Sequence, residues 1–389
     1  MNRTSVSVKI LVSLGLVTAC TGPDETEGTE TAALTSAELS LRGGKPAGAR
    51  LFLEEVPGVG GNGRACATCH VAADGFQLTP EHVESRWQEL QERRCRNPDA
   101  DDPLFRPIDA DDFAQDFTTL RSHALVRVTI EMAPNVRVLD DPAARSVSLW
   151  RSTPTVFNVA LTAPYQLDGR VPTLPLQALG ALHGHAQIAT EPPAKLLDTI
   201  AAFEQTLFPD AYALAVAEAV RTGKPVPPEP AVTGAAAAGK VVFDRECSFC
   251  HSGPALNKQK IPGLFLGDVL VSRPLPPFAD PGQFDVAPAL PVRTWAITLP
   301  DGSEVVRPST DPGKALITGD PKDFNNFEIS QLRGLARIAP YFHDNSAKTL
   351  RDVATHYQAV FAALRAAGLV TAFLDDDELD PLVAYLETL

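Results

Sequence analysis

Two pentapeptides constrain this chain more than anything else in it: Cys66-Ala67-Thr68-Cys69-His70 and Cys247-Ser248-Phe249-Cys250-His251. In each, two thiols stand three residues apart and an imidazole follows at once. Two such thiols can add to the two vinyl groups of one haem while the adjacent His ligates its iron, so CxxCH reads as a c-type haem attachment site. A zinc knuckle would need further Cys or His at close spacing, and neither motif has them. The prediction is two covalently bound haem c groups, attached through Cys66, Cys69, Cys247 and Cys250, with His70 and His251 as proximal iron ligands.

A second regularity shows that the chain repeats itself. Ala163-Pro164-Tyr165, Asp168 and Thr173-Leu174 recur as Ala339-Pro340-Tyr341, Asp344 and Thr349-Leu350, all at an offset of 176 residues, and the CxxCH motifs lie 181 apart. Two independent markers at nearly one offset predict tandem duplication of a haem domain. The Pro-rich stretch from Thr222 to Val232 can hold neither a helix nor a central strand and is placed as the boundary. The domains are then 43–222 for the first haem and 233–389 for the second.

Within each half the periodicity is mostly helical. Thr79-Pro80-Glu81 caps a helix carrying Val83, Trp87 and Leu90; Leu196, Leu197, Ile200, Phe203 and Leu207 form another apolar stripe. Gly234 to Phe243 reads as a helix running into the second haem motif, and Glu378 to Leu389 as a closing helix. Strand signals are few and short, and Pro254 to Pro312 reads as a long irregular segment over the second haem. The fold class expected is mostly α: two tandem cytochrome c-like haem domains with long irregular loops, the haems supplying part of the core.

The N-terminus reads as processing signal rather than fold. Arg3 and Lys9 precede an apolar run from Ile10 to Val17 that is too short to span a bilayer. The run ends in Val17-Thr18-Ala19-Cys20, which resembles the bacterial lipobox, so residues 1–19 are expected to be a lipoprotein signal peptide and Cys20 the lipidated first residue. Residues 20–42 then form a flexible tether. With Thr21 after the Cys, the expected location is the periplasm of a Gram-negative bacterium, anchored at the outer membrane, with the lipid as the only membrane contact. Cys95 is left without a thiol to pair with and is expected to be a buried free Cys. The formal charge of −14, from 34 Lys+Arg against 48 Asp+Glu, is the wrong sign for a phosphate backbone and excludes nucleic acid as a partner.

The order of these motifs, a haem site, then TPTVFNVALTAPYQLDGR, then a second haem site, then APYFHDNSAKTLRDVATHY, resembles the bacterial di-haem cytochrome c peroxidase and MauG family over roughly residues 45 to 389. The resemblance implies an oxidoreductase whose N-terminal haem meets hydrogen peroxide while its C-terminal haem relays electrons from a small cytochrome c or cupredoxin. It also implies a calcium ion at the domain interface, with Ile338 and Pro340 at positions giving it backbone carbonyls, and leaves room for a homodimer. For the second haem the family's distal position, fourteen residues beyond His343, falls on Tyr357; the bland alternative is a core Tyr on a stripe with Val353, Val360, Phe361 and Leu364. The one Met after the signal, Met132, lies far upstream.

The first haem departs from the family pattern. Leu167 stands where its peroxidases carry a bridging Trp, Gln177 matches the distal Gln, and Gln187 stands in place of the proton-transferring Glu. An amide cannot accept and return a proton, so acid–base work at that position is lost. Nearby His185, with His183 before it, either closes the sixth position of the first iron or stands in as proton carrier. Three functions follow: a peroxidase, a MauG-like oxidase that modifies a partner protein, and a non-catalytic electron-transfer cytochrome.

Overall fold

The computed structural model describes residues 46–258, 260–261, 264–265, 290–366, 368 and 370–389. The expected signal peptide 1–19, Cys20 and the tether 20–42 lie outside the described residues. Among those described, no helix is long and apolar enough to cross a membrane.

The chain is helix-rich with small sheets. Helix α1 (Pro46–Leu53) leads into the first haem turn, followed by α2 (Pro80–Arg96), α3 (Thr118–His123), β1 (Leu125–Glu131), β2 (Val136–Val138) and β3 (Ser146–Ser152). Then come α4 (Leu174–Gly184), α5 (Ala194–Glu204) and α6 (Ala211–Thr222). The second half holds α7 (Gly234–Glu246), the two-residue strands β4 (Lys260–Ile261) and β5 (Leu264–Phe265), β6 (Arg293–Thr298), β7 (Glu304–Ser309), α8 (Ala315–Thr318), α9 (Leu350–Ala366) and α10 (Leu379–Leu386).

The local signals explain the helices. Thr79 takes an extended conformation and its hydroxyl accepts from His82 N at 3.2 Å, satisfying one orphan amide of α2, with Pro80 in the first turn and Arg93, Arg94 and Arg96 in the last. Val83 and Leu90 are fully buried, and the Trp87 ring meets Phe105 edge-on at 4.9 Å. Cys95 corrects its expectation: the last turn of α2 is charged on nearly every side and turns Cys95 to solvent, where it is exposed and disulfide-bonded rather than buried and free.

The sheets correct a second expectation. β1 pairs with β3 over seven residues, and β6 and β7 form a hairpin inside the stretch read as irregular. The alternation in LVRVTIE and SVSLWRS carries this signal, one face against the core and one half-solvated. The hairpin does not cover the second haem turn. β6 adds to β2 of the first half, so Trp295 and Ile297 pack with Ile130, Val138, Val147 and Leu149. Met132 is buried in that same cluster.

The repeat is visible as geometry. Ala163-Pro164 and Ala339-Pro340 are both cis; Tyr165 Oη donates to Val159 O at 3.1 Å, and Tyr341 Oη to Leu335 O at 2.9 Å. Tyr165 bridges Val171 as Tyr341 bridges Ala347. Yet the repeats share one core: Phe52, Phe76, Phe157 and Phe203 from the first half lie in a cluster with Phe243, Leu335, Leu350 and Leu382 from the second. Charge ties them as well. Arg151, only 2% exposed at the end of β3, is clasped by Asp168 at 2.5 Å and by Asp311 of the second half at 2.6 Å.

The closest helix contact is between α7 and α10. A Cβ at Gly239 would lie 1.8 Å from Pro381 O, so only glycine permits that approach. Gly239→Ala is expected to cost about 1–3 kcal/mol of stability from overpacking, although at an open helix position the same change would stabilise by up to about 1 kcal/mol. A denaturant melt showing stabilisation would contradict the packing described.

Candidate functional site

Each CxxCH folds into a tight turn that frees one imidazole nitrogen. In the first, His70 N donates to Cys66 O at 2.9 Å and the chain reverses so that Val71 bridges Gln77. In the second, His251 N donates to Cys247 O at 2.9 Å and Ser252 bridges Lys258. The reversals bring a carbonyl to each ring: His70 Nδ1 lies 3.0 Å from Phe76 O and His251 Nδ1 lies 2.9 Å from Leu256 O. A carbonyl can only accept, so Nδ1 carries the hydrogen and Nε2 presents its lone pair for iron. Burial holds both imidazoles below their ordinary pKa, hence neutral. It pushes the thiols the other way, Cys66 and Cys69 upward and Cys247 up to about 12. The donor sets fit two haem c groups as the sequence requires.

Across from His70 stands the end of α4. Gln177, Ala181 and His185 follow one another at i, i+4 and i+8 along one half-buried stripe. Burial lowers the His185 pKa, a nearby Asp109 opposes this, and Arg64 and Arg170 add to it. A charge on His185 would in turn lower His70, so the two imidazoles lie within electrostatic reach of each other. The loop before the haem turn holds this end in place: Asn62 Nδ2 donates to His185 O at 2.9 Å, and Asn62 N donates to Ala186 O at 2.9 Å. Arg64 and Asp109 face each other at 2.7 Å with 2% and 0% of their side chains exposed.

Not every expected residue joins them. Gln187 is exposed, in a left-handed conformation (φ 53°), with its Oε1 accepting from Asn62 Nδ2 at 3.0 Å. His183 is exposed and pairs with Glu191 at 2.7 Å. Leu167 is half-buried and its carbonyl accepts from Glu328 N at 2.8 Å. One residue before Glu328, Phe327 stacks on His343 with centroids 4.2 Å apart and planes at 19°.

In the second half, α9 carries Tyr357 toward the haem turn. Its phenol is pushed up to about 12, first by burial and then by Cys247 and Cys250. The residue is 36% exposed, with its ring beside Phe342 and Phe361 at 6.4 and 6.0 Å, so it is not a fully buried core Tyr. The buried positions of the stripe are Val360 and Leu364. His356, on the adjacent face, meets Phe342 at 4.6 Å.

Three features escaped the sequence reading. The Arg64–Asp109 pair could have been flagged by the Arg two residues before the first Cys, but its partner is 45 residues away and carries no motif. Gln77 donates to Ile338 O at 2.5 Å and Pro340 O at 3.3 Å, the two carbonyls expected to face calcium. Glu204 is 4% exposed at the end of α5, with Oε2 lacking a hydrogen bond.

The two haem turns, each with two thiols and an imidazole whose Nε2 is presented, are what a di-haem c-type cytochrome requires. The family description di-haem cytochrome c peroxidase matches residues 47–226. A cytochrome c551 peroxidase from Pseudomonas aeruginosa is 26% identical over 264 residues, 61% of this chain, and the match spans 64% of that protein's length. The chain is thus similar to di-haem cytochrome c peroxidases over its first haem half and beyond. Among solved structures it is similar to a MauG-like protein associated with microbial copper homeostasis, at 19% identity, covering 90% of this chain and 87% of that one, with a TM-score of 0.47. It is also similar to a tyrosine-to-methionine variant of the diheme peroxidase BthA from Burkholderia thailandensis, at 15% identity, covering 89% and 86%, with a TM-score of 0.38.

Glu204 generates a pH prediction. Burial raises its carboxyl to about 8 against an ordinary 4.5. The folded chain therefore binds more protons than the unfolded one between those values, and stability falls as pH rises through that window. Glu204→Gln removes this slope. Its melt should gain on the native protein from pH 5 to pH 8 by on the order of a few kcal/mol, with a constant offset for the buried amide; parallel melts at every pH would contradict the burial.

Proposed function

We propose that this chain reduces hydrogen peroxide at its N-terminal haem, with electrons that enter at the C-terminal haem from a small redox protein in the periplasm. The observation that carries the reading is the position of His185, half-buried at the end of α4 within electrostatic reach of the proximal His70. When bound, haem c supplies the iron at which peroxide binds and the electrons that reduce it. His70 would hold that iron through Nε2, its ring fixed by the Phe76 carbonyl. His185 is neutral, so its free ring nitrogen can take a proton from one peroxide oxygen and return it to the other as the bond between them breaks. Asn62 and Arg64 hold its backbone, and Gln177, two turns earlier on the same stripe, offers an amide to orient the peroxide. Two electrons and two protons enter for each peroxide, and two waters leave.

This assigns to His185 the work that an exposed Gln187 cannot do. Stopped-flow mixing of the half-reduced protein with peroxide should show rapid stoichiometric oxidation with a shifted Soret band, and His185→Gly should slow it by about 10²- to 10⁴-fold. Equal rates in the two proteins would remove His185 from the chemistry, and no reaction in the native protein would leave electron transfer as the function.

Tyr357 favours a second reading, the MauG-like oxidase. A phenolate drawn onto the second iron would give that haem a lower potential than a Met ligand would. Tyr357→Phe should change the optical and electron paramagnetic signature of one haem and leave the other as it was. An identical spectrum would return Tyr357 to a packing role.

A further inference from the structure

We propose that Glu204 is a proton-binding site linked to the first haem: its carboxyl takes up a proton when that haem gains an electron and releases the proton when the electron leaves. The side chain stands at the C-terminal end of α5, 4% exposed, and its Oε2 is buried without a hydrogen bond. The helix α1 closes over this end so tightly that a Cβ at Gly48 would lie 2.5 Å from Phe203 Cβ. An ionised carboxylate there has neither water nor a donor to offset its charge, and it faces the negative end of its own helix.

The charged groups on the neighbouring elements are engaged elsewhere. Arg50 and Glu54 of α1 pair with each other at 3.5 Å in solvent, and Lys195 and Asp198 of α5 are exposed. On α4, His183 pairs with Glu191, while His185 answers to Asp109, Arg64 and Arg170. The titratable groups that do feel Glu204 are Cys66 and Tyr165: each is pushed up first by burial and then by the Glu204 carboxylate. Tyr165 is already committed, its Oη donating to Val159 O at 3.1 Å. Cys66 is one of the two thiols that attach the first haem, so a buried carboxyl without a partner lies within electrostatic reach of the point where that haem joins the chain.

Glu204 feels an added negative charge when the first iron passes from ferric to ferrous, and a like charge disfavours the ionised form. One electron comes from the redox donor, one proton comes from water to form the carboxyl O–H bond, and both leave again on reoxidation. The carboxyl titrates at about 8 by burial alone. Below that pH it is protonated in both oxidation states and the potential is level; above it the reduced state keeps the proton longer, and the potential falls as pH rises. The fall is up to tenfold in the equilibrium constant, about 59 mV, per pH unit. The inference rests on haem attachment at Cys66 and not on peroxide chemistry.

The test is made on the intact di-haem protein. Spectroelectrochemical titrations of the native chain and Glu204→Gln are run from pH 6 to pH 10, with the two haems read separately. The native first haem should hold a level midpoint to about pH 8 and then fall; Glu204→Gln should lose that fall, and the second haem should titrate alike in both proteins. Reduced-minus-oxidised infrared spectra at pH 9 read the native protein directly: a protonated-carboxyl stretch should appear on reduction, and it should be missing from Glu204→Gln. A native midpoint level over the whole range, equal slopes in the two proteins, or no carboxyl stretch in the native spectrum would each overturn the proposal. A native protein that shows the slope and the stretch but does not react with peroxide would sink the peroxidase reading and leave this one standing.

Discussion

Two backbone carbonyls govern what this protein can do. Phe76 O and Leu256 O each accept from Nδ1 of the His that follows a pair of thiols, and this contact sets the tautomer and the nitrogen left for iron. To deliver the carbonyl, the chain must double back within five or six residues of the His, with Phe76 and Leu256 both in the left-handed region. The rest of each half serves to hold that reversal: α1 and α5 pack beneath the first, α7 and α10 beneath the second.

The halves are repeats in sequence but one body in physics. Arg151 is the clearest case, a guanidinium buried between two carboxylates, one from each half. Burial alone would raise Asp311, yet Arg151 beside it holds it below its ordinary value. Removing either partner would strand a charge in a dry interior at a cost of about 3–5 kcal/mol. Such a pair enforces the relative placement of the halves more than it stabilises them.

Much of this was legible beforehand for identifiable reasons. The haem turns were readable because covalent attachment forces a fixed local spacing, and α2, α5, α7 and α10 because capping and apolar stripes are local too. The repeat was readable at the APY segments because their turns reuse the same residues. What failed was non-local. The hairpin of β6 and β7 sits in a Pro-rich stretch whose strands are named by a partner far upstream in the chain. Gln187 looked like the successor of a catalytic carboxylate by counting, whereas a left-handed backbone turns it outward to Asn62. Cys95 was misjudged because the charged residues around it were not weighed as a solvent-facing turn.

The sheet formed by β2, β6 and β7 has a consequence for assembly. Asn135, at the mouth of β2, donates to Thr298 at the end of β6, 163 residues later. A contact so distant in sequence is slow to form and cannot form at all until the chain that supplies it exists. During synthesis the first half therefore waits with an open sheet edge while α4 to α7 are still being made.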